Sequence, residues 1–461
     1  VNELVSYVVP FYNPCSQGRS PVWFVQCIES LLRQTHGDCE FLFVDDGSSD
    51  CSASIVRAFS EYDNRIWLLG AHGEEAHQGI EHALDLGLAA AQGQFIARLD
   101  SDDIAMPERT KTQLAYFRKH PLTMLLGGRM QVMSEGIKRA WALDYTSVRR
   151  EARTHCPLFH PTVMFRRLVY EQFGGYPRGY DCAEDYAYWS RVLRWCRAEN
   201  MPEVLTQYRV HGGQQGALYQ HKQMAAAARI ASECHDMPER SPFDKLLAAY
   251  CEEKGCTEDE VLRTNLAALH QRTALRWCDW WTGNPDAPRA DFFVDAPDFA
   301  LCELLDCLLT LWHGRWRLRE FIIGKVLDYG GGLGIASLLK PGIQYVHYDP
   351  SPFCRRVVLR HTPTALAGDN PDLRPHTYDA VLAIHSLEFM ERDRILPMLD
   401  MLVAALKPGG YFLFDFAPEP DKLHPMRQGT PGMAEAATEI MTKRGLVRLV
   451  GNTVWQKGRM A

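Results

Sequence analysis

The feature that most restricts what this chain can fold into is a repeated alternation of strand-like and helical patterns over its first hundred residues. Leu4 to Val9 is a strand-like apolar run ending at Pro10, Phe24, Ile28, Leu31 and Leu32 recur at helical spacing, and Glu40 to Val44 is strand-like again. Ile66 to Leu69 and Gln94 to Leu99 add two strands around a helix over Ile80 to Ala91. Such an order predicts an α/β fold whose mostly parallel sheet is covered on both faces. Ligands of these sheets sit at the carboxyl ends of strands. Two acidic stretches fall at such ends, "FVDDGSSD" (Phe43 to Asp50) and "RLDSDD" (Arg98 to Asp103). In the second, Asp100, Asp102 and Asp103 repel one another unless a cation or hydrogen-bond donors lie among them.

At 461 residues the chain exceeds one ordinary core, so more than one domain is expected. Its 46% hydrophobic and 23% charged residues are the balance of a globular protein. With 50 basic and 57 acidic residues, a net charge of -7 and no long basic run, the composition argues against a nucleic-acid partner. The most apolar stretch, Phe299 to Trp312, is interrupted by Glu303 and Asp306 and is too short for a membrane span, so it reads as a buried helix. The 14 cysteines form no C-x-x-C pair, and Cys251 with Cys256 and Cys302 with Cys307 read as core residues rather than zinc ligands. That cysteine usage points to a reducing, cytoplasmic setting; the chain starts at Val1 without a basic-then-apolar signal pattern, and a leader trimmed before it stays open. From about Ala217 helices rich in Ala, Leu, Glu and Lys take over, and Thr257 with Glu260 has capping-box spacing. "GNPDAP" (Gly283 to Pro288) reads as a loop, and the strand and glycine pattern restarts at Lys325. The division expected is an α/β domain over 1–216, a helical connector over 217–323 and a second α/β domain over 324–461.

"VSYVVPFYN" (Val5 to Asn13), "SLLRQTH" (Ser30 to His36), "FVDDGSSD", "QGQFIARLDSDD" (Gln92 to Asp103), "HPTVMFRR" (His160 to Arg167) and "AEDYAYWSRV" (Ala183 to Val192) follow one another in an order that resembles family 2 glycosyltransferases. The resemblance implies a GT-A, Rossmann-like nucleotide-sugar-binding domain, a nucleoside diphosphate sugar donor and inversion at the anomeric carbon. It implies Asp102 as the direct ligand of Mn or Mg, Asp100 on the nucleotide side, Asp103 in support, and His211 of "YRVHGG" within reach of the metal or diphosphate. Pro10, Tyr12 and Asn13 would line the base pocket. Either Asp45 or Asp46 can accept the N–H of uracil. An inverting transfer needs a carboxylate base for the acceptor hydroxyl; Asp185 matches the family's base, with Glu184 beside it. A helix starting there would help hold Asp185 ionised. The chain departs from the family in two places. Where relatives carry an Arg-Asn pair it reads "EHALDLG" (Glu81 to Gly87), and the Gln-x-x-Arg-Trp signature of processive synthases does not follow Asp185. Addition of one or a few sugars to a glycan or glycoconjugate acceptor is therefore expected.

"VLDYGGGLGIASLL" (Val326 to Leu339) sets Asp328, Gly330, Gly332 and Gly334 between a strand and a helix, and Ile335 weakens a dinucleotide reading. With "YVHYDPSP", "AGDN", "YDAVLAIHSLEFM" and "LKPGGYFLFDF" the stretch resembles class I S-adenosylmethionine-dependent methyltransferases. The resemblance implies that Asp349 binds the ribose hydroxyls of S-adenosylmethionine and Asp369 lies near the adenine amine, with His385 or Glu388 as a possible base. The leading expectation is a bifunctional enzyme. The alternative is a glycosyltransferase whose methyltransferase-like half only binds or scaffolds. A noncatalytic glycan-binding reading of the first half has no need of the acidic motif and Asp185 together.

Overall fold

The computed structural model describes residues 3–16, 20–71, 77–134, 136–137, 142–180, 182–212, 214, 218–264, 268–269, 272–273, 297–310, 318–368, 371–384, 386, 392–415, 433–450 and 454–458. The chain divides into two compact units, Val1–Ser241 and Pro242–Ala461. Gly283 to Pro288, Asp369, His385 and Glu388 lie outside the described residues.

The first unit is built on strands β1 (Val5–Phe11), β2 (Cys39–Asp46), β3 (Ile66–Ala71), β4 (Phe95–Arg98), β5 (Ile104–Ala105), β6 (Thr123–Val132), β7 (Gly136–Ile137), β8 (Met164–Arg166) and β9 (Arg197–Tyr208). Their order is β3-β2-β1-β4-β8-β6-β9-β5, with β7 on β6. Every residue of β1 and β2 is buried, which is why both read as near-continuous apolar runs. On one side, Tyr7, Val9, Phe41 and Phe43 join a core with Phe24, Ile28 and Leu31 of the helix Pro21–Leu32. That helix starts sharply because the Ser20 side chain accepts from Val22 N–H and Pro21 needs no partner for its missing N–H.

The sheet is parallel only through β4. Beyond it β8 runs antiparallel to β4 and β6, while β6 and β9 pair in parallel. The expectation of a mostly parallel sheet thus holds for the first four strands, and the rest is mixed. Two features of the topology build the site. Phe11 at the end of β1 pairs with Asp45, and Val8 pairs with Arg98, so the ends of β1, β2 and β4 lie side by side. Two-residue β5 then pairs Ile104 with Gln207, which brings the acidic motif to the segment just after β9.

On the other face, the helix Ile80–Ala90 approaches the sheet at Gly87, where a Cβ would lie 2.5 Å from Val8 Cγ1 and 3.1 Å from Val44 Cγ2. Two effects oppose each other in Gly87→Ala. Helix propensity favours alanine by about 1 kcal/mol, whereas overpacking a core costs about 1–3 kcal/mol. The variant is expected to be less stable by about 1 kcal/mol, read as a lower urea midpoint; a raised midpoint would contradict this packing.

The second unit carries β10 (Lys325–Tyr329), β11 (Gln344–Tyr348), β12 (Leu366–Gly368), β13 (Tyr378–Ile384), β14 (Leu406–Asp415), β15 (Leu446–Val450) and β16 (Val454–Lys457), ordered β12-β11-β10-β13-β14-β16-β15. Strands β10 to β14 pair in parallel, and β16 runs antiparallel to both its neighbours. This is the Rossmann-like arrangement anticipated for the region. The expected capping box is present, with Thr257 and Glu260 bonding each other's backbone N–H. The apolar stretch around Phe299 forms the helix Pro297–Thr310, which buries Leu304, Leu305 and Leu308.

Candidate active site

Asn13 is the clasp of the first pocket. In a left-handed conformation (φ 46°), its side-chain oxygen accepts from Ser49 N–H (2.8 Å) and Asp50 N–H (3.2 Å), and its own N–H donates to Ser48 Oγ (3.0 Å). The loops after β1 and β2 are thereby locked together. Asp45 Oδ1 accepts from Ser48 N–H (2.7 Å). Asp46 faces the other way: Oδ1 accepts from Gln78 N–H and Oδ2 from Gly79 N–H, both at 3.0 Å, and His77 Nδ1 lies 2.8 Å from Oδ2. Burial raises the Asp46 pKa, and these donors oppose the shift. The His77 ring stacks on Tyr12 with centroids 4.0 Å apart, adding to this pocket a residue that the sequence motifs do not point to.

The acidic motif follows β4. Arg98, 2% exposed, pairs through Nη2 with Asp100 Oδ1 at 2.7 Å, and its Nη1 bonds the Leu99 carbonyl. Asp103 is fully buried. Its Oδ1 accepts from Arg209 N–H (3.0 Å), and burial with repulsion from Asp100 and Asp102 holds its pKa well above the usual carboxylate range. Asp102 meets His211, with Nε2 2.6 Å from Oδ2. Arg209 bonds the Asp102 carbonyl and Gln26 and lies over the Trp23 ring, against which His211 also packs.

Glu184 and Asp185 open the helix Glu184–Leu193. Asp185 accepts from Tyr186 N–H (2.7 Å) and weakly from the Cys156 thiol (3.7 Å). Burial nevertheless dominates, pushing its pKa up to about 6. Glu184 is pushed up to about 8 by burial and by Asp185, and its Oε2 has no hydrogen-bond partner. Burial therefore favours the protonated form at both carboxyls, and more so at Glu184. In the stretch that replaces the Arg-Asn pair, Asp85 Oδ1 accepts from Tyr176 N–H (2.8 Å), and the Tyr176 hydroxyl bonds His160 Nε2 (2.8 Å). Burial depresses His160 well below the usual imidazole range, so the ring is neutral.

Among the described residues no three His, Cys, Asp and Glu side chains form a ready-made metal cage. A donor set of Asp102 and His211 suits a cation that arrives with a diphosphate, because Mg or Mn sites of that kind draw much of their coordination from phosphate and water. In the second unit, Gly330, Gly332 and Gly334 have φ of 63°, 50° and 70°, where a side chain would be strained. Gly332 N–H donates to Asp349 Oδ2 (2.9 Å) and Ser351 N–H to Asp349 Oδ1 (2.8 Å); burial raises the Asp349 pKa to about 6. Asp328 is bonded by the Tyr345 hydroxyl and raised to about 7 by burial. Leu333 N–H donates to both oxygens of Glu303, each at 3.2 Å. Three left-handed glycines beside a strand-end carboxylate with unused lone pairs fit a nucleoside-containing cofactor.

Parallel strand ends that gather an acidic turn, a carboxyl pair and a clasped loop pocket fit a glycosyltransferase of the nucleotide-sugar class. Comparison with known proteins agrees: residues 6–174 match the model of "Glycosyl transferase family 2", and residues 301–449 match that of a "Methyltransferase domain". The O-antigen biosynthesis glycosyltransferase WbnJ of Escherichia coli is 31% identical over 191 residues, 40% of this chain and 73% of the relative. The amylovoran biosynthesis glycosyltransferase AmsE of Erwinia amylovora is 30% identical over 210 residues, covering 45% and 76%. Among solved structures, S. aureus TarS 1-349 in complex with UDP-GlcNAc is similar at a TM-score of 0.42 and 17% identity, over 67% of this chain and 91% of that one. The chain belongs to glycosyltransferase family 2, and the segment after it is similar to a methyltransferase domain. No helix among the described residues is long and apolar enough to cross a membrane.

Proposed function

We propose that the first unit transfers a sugar, with inversion, from a uridine diphosphate sugar to a hydroxyl of a glycan or glycoconjugate in cytoplasmic polysaccharide biosynthesis, and that the second methylates a product of the same pathway from S-adenosylmethionine. The observation that carries the transfer reading is the placement of Glu184 and Asp185 at the start of the helix Glu184–Leu193, where Tyr186 N–H fixes Asp185 at 2.7 Å, together with the contact of Asp102 with His211 at 2.6 Å. Asp185 accepts the acceptor proton as the oxygen bonds to the anomeric carbon, and the bond from that carbon to the diphosphate breaks on the opposite side. Asp102 and His211 would hold Mn or Mg, which when bound supplies charge to neutralise the leaving diphosphate. Because both Asp46 oxygens bond the 77–79 segment, Asp45 is assigned the uracil N–H, with Tyr12 and His77 walling the pocket. The names of WbnJ and AmsE, which place those relatives in O-antigen and amylovoran biosynthesis, support a polysaccharide acceptor.

For the second unit, Asp349 would take the ribose hydroxyls while Gly330, Gly332 and Gly334 keep the backbone open to the cofactor. Bound S-adenosylmethionine supplies an electrophilic methyl group, and the protein's part is to hold it in line with a nucleophile. Calorimetric titration of S-adenosylmethionine is expected to show micromolar binding that weakens at least about tenfold in Asp349→Ala, the loss of charge-assisted hydrogen bonds. Absence of binding to the intact chain would leave the domain a binding or scaffolding module.

A further inference from the structure

We propose that Glu303 receives the α-ammonium group of the methyl-donor cofactor, an inference that rests on the methyltransferase reading of the second unit. Glu303 interrupts the apolar helix Pro297–Thr310, whose Leu304, Leu305 and Leu308 are buried. Glu303 itself is half-buried beside these residues. The structure directs it at the glycine loop. Both oxygens accept from Leu333 N–H at 3.2 Å, and they lie so close to Gly332 that a Cβ there would be 2.2 and 2.4 Å away.

The loop thus presents two carboxylates on consecutive backbone N–H groups, Asp349 on Gly332 and Glu303 on Leu333. Each N–H fixes the orientation of its carboxylate, and a carboxylate accepts several hydrogen bonds at once. The cofactor offers two matching donor groups, the ribose diol and the ammonium of its amino-acid end. Asp349, following β11, takes the diol in the reading above. An anionic end of a ligand would otherwise seek the Leu333 N–H, but Glu303 already stands on it and repels a second carboxylate. The cationic group is therefore the complement, and a carboxylate–ammonium bond is the stronger, charge-assisted kind. Asp328 is a poorer partner because the Tyr345 hydroxyl holds it and burial pushes it toward the neutral form.

The test compares S-adenosylhomocysteine with its deamino analogue, which lacks only the amine, by calorimetry on the full chain. Intact protein should bind S-adenosylhomocysteine about ten- to a hundredfold more tightly than the analogue, the range expected for one hydrogen bond to a charged group. Glu303→Gln keeps an oxygen for Leu333 N–H and removes the charge; it should bring the two affinities within about threefold while leaving the analogue's affinity unchanged. An undiminished preference in the variant overturns the assignment, as does equal weakening of both ligands, which would make Glu303 a prop for the loop. If intact protein binds neither compound, the cofactor reading falls, and the inference falls with it by a separate result. Asp349→Ala, expected to weaken both ligands alike, marks the difference.

Discussion

Asp185→Asn is expected to reduce sugar transfer about 10^2- to 10^4-fold, the range associated with loss of a positioned general base, and to make the protein more stable. Asparagine keeps the oxygen that accepts Tyr186 N–H, so donor binding should be unchanged. The stability effect follows from burial, which raises the Asp185 pKa to about 6, above its unfolded value. The native state then holds the proton more tightly than the unfolded chain, so the contribution of this group to stability is greatest at low pH and is lost as pH rises from the unfolded pKa through about 6. Asparagine removes that loss. At pH 7.5 the variant should gain on the order of 1–2 kcal/mol, a difference that shrinks toward zero near pH 4. In the intact enzyme, kcat/KM should rise with pH through about 6 as the base ionises. Near-normal turnover in the variant would remove Asp185 from the chemistry. Inactivity with lowered stability would instead assign it a structural role.

Asp102→Ala is the second large effect. The carboxylate sits 2.6 Å from His211 Nε2, at the point where β5 draws the acidic motif against the end of β9. Removing it should cut metal-dependent transfer at least about 10^2-fold, the scale of losing a principal electrostatic stabiliser of a leaving group. Any binding of S-adenosylmethionine should be unchanged, because Asp349 and the glycine loop belong to the other unit. Transfer that persists in Asp102→Ala and responds normally to Mn would contradict the metal assignment.

The first four strands were legible because strands buried on both faces must be apolar throughout, and the acidic turns and glycine loop stood out because each needs unusual residues at fixed spacing. The mixed half of the sheet was not legible. It depends on β6 pairing with β9, more than sixty residues later, and on a β5 of two residues, too short for any periodicity. The roles of Arg98 and His160 escaped for another reason. Both stand inside quoted motifs, yet only folding shows Arg98 pairing with Asp100 or His160 joined through Tyr176 to Asp85. The choice between Asp45 and Asp46 likewise turns on a segment thirty residues away. Glu303 looked like a flaw in an apolar helix until its position against the glycine loop gave it a partner.

The central claim is that the first unit breaks the bond between a sugar and a nucleoside diphosphate with help from a divalent cation. The most direct measurement is nucleoside diphosphate release by the intact chain from a panel of uridine diphosphate sugars, with Mn or with excess EDTA. Release with Mn that stops in EDTA and is lost in Asp102→Ala is the predicted result. Release that is equally fast in EDTA, or no release from any donor of the panel with Mn present, would contradict it.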